Sequence, residues 1–315
     1  MSEIWTEQYR PKEFSEFKGQ EKILERVKAM VTQKNIQHLL FAGPSGTGKS
    51  SLAILIAKKL FGGTWRENFL ELNSSDSRGI DVIRNEVKDF ARTKAIGTDL
   101  PKIIFLDECD ALTKEAQQAL RRTMETFTRT SRFILSCNFS SKMIDPIQSR
   151  CTVFRFKPLE EKEMEKIIKE ISNQENLKVD KGVIKALYEI SEGDVRRVIN
   201  LLQSCAAVSK NINEDLIYEI VSAAQPKEIK EVLEMAIKKD FIRSRDKLLD
   251  VMLKHGLSGL DIIKQIQKEI WNLNIKDEEK VRLVEKCGEV EFRMVEGSDE
   301  FLQLESLLAS FINTK

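Results

Sequence analysis

Residues 43 to 50 read Gly43-Pro44-Ser45-Gly46-Thr47-Gly48-Lys49-Ser50, and this stretch decides the fold. Its glycines allow several backbone N–H groups to turn toward phosphate oxygens, the lysine adds a cation, and the last hydroxyl can hold Mg²⁺. The stretch lies between an apolar run at 38–42, typical of a buried parallel strand, and a helical pattern that begins at Ser51. We therefore predict a P-loop in which residues 43 to 51 contact ATP, with Lys49 acting on the phosphates and Ser50 on Mg²⁺.

A second motif supplies two carboxylates. The apolar run at 103–106 ends in Asp107 and Glu108, which is the pattern of a Walker B strand, where the first carboxylate positions Mg²⁺ and the second orients the attacking water. Taken alone, this pair also fits a helix cap or a loop after an ordinary strand. Asn138 follows another apolar run and can hold the water or sense the γ-phosphate, although asparagine is also a common turn residue. Downstream of a P-loop, we interpret Asp107, Glu108 and Asn138 as catalytic residues.

Strands and helices alternate through the first half of the chain. Apolar runs precede helical patterns three more times, with runs at 69–72, 103–106 and 133–137 and helices near 80–92, 114–127 and 143–148. This rhythm is typical of a parallel, doubly wound sheet.

Beyond about residue 160 the hydrophobic periodicity is only helical. We expect an α/β P-loop domain at 1–160, followed by a small helical lid domain of four helices at 161–225. An all-α domain of about five helices, which the family resemblance given below makes a collar, should occupy 226–315 and begin at Pro226, a residue that favours the first turn of a helix.

The composition of the 315 residues is that of a globular protein. Five cysteines without a Cys-x-x-Cys pair, together with only two histidines, favour neither a zinc site nor a disulfide framework. The formal net charge of +1 excludes a globally basic protein, so any nucleic-acid contact must come from local patches. No apolar run is long enough to cross a bilayer and the N-terminus lacks a secretory pattern, so we expect no membrane association and a cytoplasmic location, or a nuclear one if the source is eukaryotic.

Two arginines lie in the first turn of a predicted helix. Arg196 and Arg197 follow Gly193 and Asp194, at the helix end where each cation is disfavoured by about 0.3–1 kcal/mol. An anionic partner offsets this cost, and we infer that at least one of the two arginines faces a phosphate. The alternative is a structural partner, supplied by Asp194 or a nearby glutamate.

The helix predicted near 80–92 carries a basic track. Arg84, Lys88 and Arg92 recur at every fourth position beside an apolar stripe, and Arg78 precedes them. Such a track suits binding to a DNA phosphate backbone, because a protein can recognise that backbone by its charge and shape without contacting the bases. Because acidic residues interleave, an ordinary solvated face is the alternative.

Together these motifs resemble an AAA+ ATPase, and more narrowly the small subunit of a clamp loader of the replication factor C kind found in archaea and eukaryotes. The resemblance covers the whole chain. Its specific marks are Trp5-Thr-Glu-Gln-Tyr9-Arg10-Pro11, Glu71-Leu-Asn-Ser-Ser-Asp76-Ser-Arg78-Gly79-Ile80, Ser149-Arg150-Cys151 and Gly193-Asp-Val-Arg196-Arg197. The departures are Ser45 where a second proline is usual, Ser50 in place of threonine, and Cys109 in place of alanine.

The resemblance implies further site residues. It makes Tyr9, Arg10 and Pro11 contacts of the adenine-wrapping N-terminal segment, and it makes Arg196 a phosphate sensor. It also makes Arg150 a finger that reaches the γ-phosphate in a neighbouring subunit's site. Without the resemblance, Arg150 is an exposed arginine after a helix, most often a solvated charge.

The resemblance also implies partners and a function. The chain would join one large clamp loader subunit and further small subunits in a five-membered hetero-oligomer that opens a sliding clamp of the PCNA type. ATP binding and hydrolysis would load the clamp onto primer–template DNA during replication. Two alternatives are another AAA+ ATPase that remodels DNA and a scaffold that binds ATP without turnover. The first usually ends in a winged-helix domain, unlike the slightly acidic helical segment 226–315, and the second needs neither Glu108 nor Arg150.

Overall fold

A five-stranded parallel sheet organises the first part of the chain. The computed structural model describes residues 4–75, 83–221 and 224–312, without the side chain of Arg84. The strands pair in the order β2-β3-β4-β1-β5, and every neighbouring pair is parallel. Their bounds are Leu39–Ala42 (β1), Phe69–Asn73 (β2), Lys102–Asp107 (β3), Ser131–Cys137 (β4) and Thr152–Arg155 (β5). The predicted parallel α/β fold is confirmed.

Helices flank the sheet, and further helices follow it along the chain. Those before and between the strands are Trp5–Gln8 (α1), Glu21–Thr32 (α2), Lys49–Phe61 (α3), Lys88–Arg92 (α4), Lys114–Thr126 (α5) and Asp145–Gln148 (α6). Short 3₁₀ turns span Gly62–Thr64, Cys109–Ala111 and Ser140–Lys142. The four helices predicted between 160 and 225 are confirmed as Glu161–Gln174 (α7), Lys181–Ser191 (α8), Val195–Val208 (α9) and Glu214–Val221 (α10).

Burial explains why the strands read as apolar runs without polar alternation. One face of the sheet packs Phe41, Phe105 and Phe154 against α3, and these three rings are almost fully buried. The opposite face packs Leu106 and Leu135 against α5. A parallel strand covered on both faces has no exposed side that would favour polar residues.

Two local predictions about this region are wrong. Strand β5 was missed because only Val153 and Phe154 of its four residues are apolar, so its apolar signal is short. The regular α-helix predicted over 80–92 begins, within the described residues, with a π-helical turn at Ile83–Val87. That turn breaks the every-fourth-residue spacing on which the basic track was based.

The spatial proximity of its Cα atoms divides the chain into two compact units, Met1–Ala206 and Ala207–Lys315. The second unit contains the five predicted C-terminal helices, which are confirmed as Pro226–Ile237 (α11), Phe241–His255 (α12), Gly259–Ile270 (α13), Asp277–Val295 (α14) and Glu300–Ile312 (α15). They bury a continuous apolar core that includes Leu233, Ile266 and Phe311. Within the described parts of the chain, every helix is too short or too polar to span a lipid bilayer.

Helix α11 begins with a charged cap. The Glu228 carboxylate accepts hydrogen bonds from the Gln225 backbone N–H at 3.1 Å and from Lys254 Nζ at 2.8 Å, and His255 Nε2 lies 2.9 Å away. Partial burial alone would raise the pKa of Glu228, but these hydrogen bonds outweigh it and lower that pKa below the ordinary value. The ionised carboxylate therefore stabilises the start of the helix.

Replacing Glu228 by glutamine removes this charge while keeping the side-chain size. At pH 7 we expect backbone amides of α11 to exchange with deuterium about fivefold faster than in the unaltered chain, because a capping contact contributes about 1 kcal/mol. A carboxyl whose pKa is lowered by folding stabilises the folded state above its unfolded pKa and loses that effect as the pH falls through the folded pKa. The difference between variant and unaltered chain should therefore shrink in acid.

The matched control is Glu231→Gln on the same helix, which breaks only the half-exposed pair with Lys247. Exposed pairs contribute little, so this variant should exchange like the unaltered chain. Equal exchange rates in the Glu228 and Glu231 variants would contradict the assignment of Glu228 as the cap.

Candidate nucleotide-binding site

The candidate site lies where β1, β3 and β4 end. Strand β4 pairs with β1 on one side and β3 on the other, with Ala42 opposite Cys137 and Leu106 opposite Leu135. All three strands point the same way, so the segments that follow them emerge at one edge of the sheet. Ligands of open parallel sheets bind at this edge, where the strand order reverses.

The phosphate-binding loop is packed tightly between two other segments. Gly46 and Gly48 have φ angles of 65° and 98°, a region that favours glycine. A Cβ on Gly46 would lie 1.7 Å from Asp194 Oδ1, and a Cβ on Gly48 would lie 2.5 Å from Phe17 Cζ. The glycines are therefore required both by the turn and by close approach of neighbouring side chains.

Lys49 is buried at the centre of the loop, with only 7% of its surface exposed. Its ammonium group donates to the carbonyl oxygens of Gly43 and Pro44 at 2.7 Å each and lies 3.4 Å from Asn138 Oδ1. Burial lowers the pKa of Lys49, while the nearby Asp107 carboxylate acts in the opposite direction. The ammonium group thus lies between the loop and the ends of β3 and β4.

The Walker B carboxylates lie beside the loop hydroxyl. Ser50 Oγ donates to Asp107 Oδ2 at 2.7 Å, which places two oxygen ligands of the kind Mg²⁺ prefers next to each other. Glu108 is exposed and has a left-handed backbone (φ 52°, ψ 41°), which costs about 1–3 kcal/mol in a residue other than glycine. This conformation turns the chain from the end of β3 into the 3₁₀ turn at Cys109–Ala111.

Asp110 is a site residue that the sequence interpretation missed. Its carboxylate accepts hydrogen bonds from the backbone N–H groups of Asn138 and Phe139, at 3.3 and 3.2 Å. It therefore fixes the backbone that presents the Asn138 side chain to Lys49. The sequence offers one signal for this role: Asp110 is the second aspartate of Asp-Glu-Cys-Asp at 107–110, two residues beyond Glu108.

A cavity of about 340 Å³ connects these groups with the N-terminal segment and the helices after the sheet. Its walls include most of the predicted nucleotide residues, namely Tyr9, Arg10, Pro11, Ser45, Gly46, Thr47, Gly48, Lys49, Ser50, Ser51, Asp107, Glu108, Asn138 and Arg196. Gly43 and Pro44 begin the loop and contribute carbonyl oxygens to Lys49. Apolar side chains, among them Phe17, Ile167 and Ile171, line another part of the wall.

The helix that carries Arg196 docks directly on the loop. The Val195 backbone N–H donates to the Gly46 carbonyl at 3.1 Å, and Ser45 Oγ lies 3.3 Å from Asp194 Oδ2. Asp194 also accepts a hydrogen bond from the backbone N–H of Arg197 at 3.0 Å, so it caps the helix. Arg196 lines the cavity and Arg197 does not.

Arg150 lies outside this chain's own cavity. Its guanidinium group pairs with Glu125 at 2.5 Å and donates to the Pro146 carbonyl at 2.8 Å, and about a third of the side chain is exposed. Glu125 lies near the end of α5, the helix that follows the Walker B strand. Of the predicted catalytic residues, the structure brings together Lys49, Asp107, Glu108 and Asn138, and leaves Arg150 apart.

Only part of the predicted DNA-contact track can be placed. Arg78 and the Arg84 side chain lie outside the described residues. Lys88 is half-buried, whereas Arg92 is exposed and lies 3.6 Å from Asp89.

Comparisons with known families cover nearly the whole chain in three parts. Residues 39–159 match the ATPase family associated with various cellular activities (AAA), residues 161–219 match the RFC1-like AAA+ ATPase lid domain, and residues 224–310 match the replication factor C C-terminal domain. Among solved structures, the RuvB Holliday junction branch migration motor of Thermotoga maritima superposes with a TM-score of 0.57. It is 19% identical and covers 79% of this chain and 92% of its own, a likeness that shows the fold alone.

Full-length relatives are much closer in sequence. The replication factor C small subunit of Methanococcus vannielii is 54% identical over 98% of both chains. The proteins of that name from Archaeoglobus fulgidus and Sulfolobus acidocaldarius are 50% and 48% identical, over 98% and 97% of this chain and 96% and 94% of their own. The chain therefore belongs to the replication factor C small subunit family of AAA+ ATPases.

Proposed function

We propose that this chain is an ATP-hydrolysing small subunit of a clamp loader, which opens a sliding clamp and places it on primer–template DNA. The observation that carries the proposal is the division of the catalytic set. Lys49, Asp107, Glu108 and Asn138 converge on one cavity, whereas Arg150 lies outside it. In this proposal a neighbouring subunit contributes the Arg150 guanidinium group that the cavity lacks.

In the proposed complex the cavity holds ATP with its phosphates on residues 43 to 51. The adenine lies toward Tyr9, Arg10 and Pro11, where apolar side chains can cover its faces. Backbone N–H groups of the loop, Lys49 and Arg196 bind the phosphate oxygens. The cavity volume of about 340 Å³ is in the range of small-molecule sites.

Mg²⁺ fits the donors at the edge of the sheet. Ser50 and Asp107 already present adjacent oxygen atoms, so they would hold the ion directly or through water. When bound, the ion supplies positive charge to the phosphate oxygens. Glu108 orients the attacking water and accepts its proton, and Asn138, whose backbone is fixed by Asp110, holds that water or the terminal phosphate.

Arg150 completes the equivalent site of the adjacent subunit. An arginine finger stabilises charge on the transferred phosphoryl group, and such fingers contribute about 10³–10⁵-fold to turnover in related phosphoryl-transfer enzymes. The pair with Glu125 is half-exposed, so it holds Arg150 only weakly and can yield to a phosphate.

Family membership and the helical second unit support the proposed partners. A large subunit and further small subunits join through the C-terminal domain. Several copies of the basic segment that contains Arg78, Arg84, Lys88 and Arg92 together contact the DNA backbone, although the π-helical turn means that these residues do not form one regular helical row. The C-terminal domain favours a loader over other AAA+ enzymes on DNA, because residues 224–310 match the replication factor C domain itself.

Replacement of Glu108 by glutamine should separate binding from hydrolysis. We expect ATP affinity to stay within about twofold and turnover in the assembled complex to fall by about 10²–10⁴-fold, because a positioned base is lost while the phosphate contacts remain. Equilibrium ATP binding and steady-state phosphate release measure the two effects. Glu115→Gln, an exposed change on α5, serves as the control and should alter neither. Full turnover in the Glu108 variant would remove this residue from catalysis.

The loader function itself is tested by ATPase measurements on the chain assembled with its large subunit. We expect primed DNA and sliding clamp together to raise turnover well above that of the assembly alone, with a response that weakens as salt increases. An assembly that hydrolyses ATP without any response to DNA and clamp would contradict the loader and favour another AAA+ activity.

A charge reversal in the same assay locates the DNA surface. Arg84→Glu with Lys88→Glu should reduce the DNA response and flatten its salt dependence, whereas Lys94→Glu, an exposed change beyond α4, should not.

A further inference from the structure

The N-terminal strap, defined here as residues 5–20, contacts both sides of the cavity. At one end, the Trp5 backbone N–H donates to Gln203 Oε1 of α9 at 3.1 Å. Toward the other end, Phe17 is buried against Gly48 of the phosphate-binding loop. The strap therefore connects the loop with the helices after the sheet, and Tyr9 lies between its two ends.

Tyr9 is held by a residue that the proposed mechanism does not use. Its hydroxyl donates to Glu175 Oε1 at 2.6 Å, and the neighbouring Gln8 amide lies 3.4 Å from the same oxygen. The Trp5 ring meets the Tyr9 ring edge-on, with centroids 6.0 Å apart. Tyr9 is thus fixed by an aromatic contact at its ring and by a short, charge-assisted hydrogen bond at its hydroxyl.

The position of Glu175 is itself well defined. It caps α7, with its N–H donating to the Ile171 carbonyl at 2.9 Å. Asn176 follows with φ 55°, and the Leu177 N–H returns to the Ser172 carbonyl at 2.8 Å. This helix ending resembles a Schellman motif, which sets the direction of the chain and leaves the Glu175 side chain directed at Tyr9.

The hydroxyl of Tyr9 remains a hydrogen-bond donor throughout the physiological pH range. Burial, the hydrogen bond to Glu175 and the charge of that carboxylate all raise the pKa of Tyr9 above its ordinary value. The Tyr9 hydroxyl therefore keeps the proton that it donates to Glu175.

We propose that Glu175 is a positioning residue for the base side of the nucleotide cavity: it holds Tyr9 against the wall and ties the strap to the end of α7. This inference rests on the proposed ATP site. It predicts that Glu175 affects the nucleoside part of the ligand and leaves the phosphate part to the loop.

The test compares two ligands on the full chain. ATP uses both halves of the cavity, whereas inorganic tripolyphosphate uses only the phosphate half. We expect Glu175→Ala and Tyr9→Phe each to weaken ATP binding by about three- to tenfold, with tripolyphosphate binding unchanged, in calorimetric titrations with Mg²⁺. The double variant should lose no more than Glu175→Ala alone, because that substitution already removes the hydrogen bond that Tyr9→Phe removes.

Two further variants sharpen the result. Glu175→Gln keeps an acceptor without the charge and should recover part of the ATP affinity. Glu165→Gln breaks the half-exposed pair with Lys169 on the same helix and should change neither affinity.

Three outcomes overturn the inference in distinguishable ways. ATP binding that is unchanged in the Glu175 and Tyr9 variants removes Glu175 from the site while leaving the proposed function intact. Equal losses for ATP and tripolyphosphate show a general structural role instead of base positioning. An unaltered chain that binds neither ligand contradicts the proposed function itself, and the inference falls with it.

Discussion

The position of β4 between β1 and β3 is the constraint on which the rest of the site depends. Because the three strands are parallel and in register, the phosphate-binding loop, the Walker B carboxylates and Asn138 emerge at one edge of the sheet. Lys49 then lies within reach of the Asn138 amide, and Ser50 bonds to Asp107. No single loop supplies these groups, so the chemistry is a property of strand order.

Two elements outside the sheet close around this edge. Helix α9 donates from Val195 to the Gly46 carbonyl, and the N-terminal strap packs Phe17 against Gly48. Both contacts are made to backbone that also faces the phosphates in the proposed complex. A shift of either element would therefore change the surroundings of the nucleotide in that complex.

The sequence predicted the parts of the molecule that carry a periodic or local signal. Apolar runs identified the buried strands, and glycine spacing identified the loop. Strand β5 was not predicted because only two of its four residues, Val153 and Phe154, are apolar, whereas the other edge strand, β2, has three apolar residues. Asp110 and Glu175 act through partners 28 and 166 residues away, Asn138 and Tyr9, so neither contact leaves a periodic pattern along the chain. The ion pair of Glu125 with Arg150 could not be predicted from the sequence for the same reason.

In the proposed complex, Arg150 of a neighbouring subunit completes each cavity. The most direct measurement mixes two altered chains in an assembly with the large subunit, one carrying Arg150→Ala and the other Glu108→Gln. Each altered chain alone should give little turnover, and the mixture should regain part of it, because some cavities then combine an intact Glu108 with an intact Arg150 next door. A mixture as inactive as its components, or full turnover with Arg150→Ala alone, would contradict the claim.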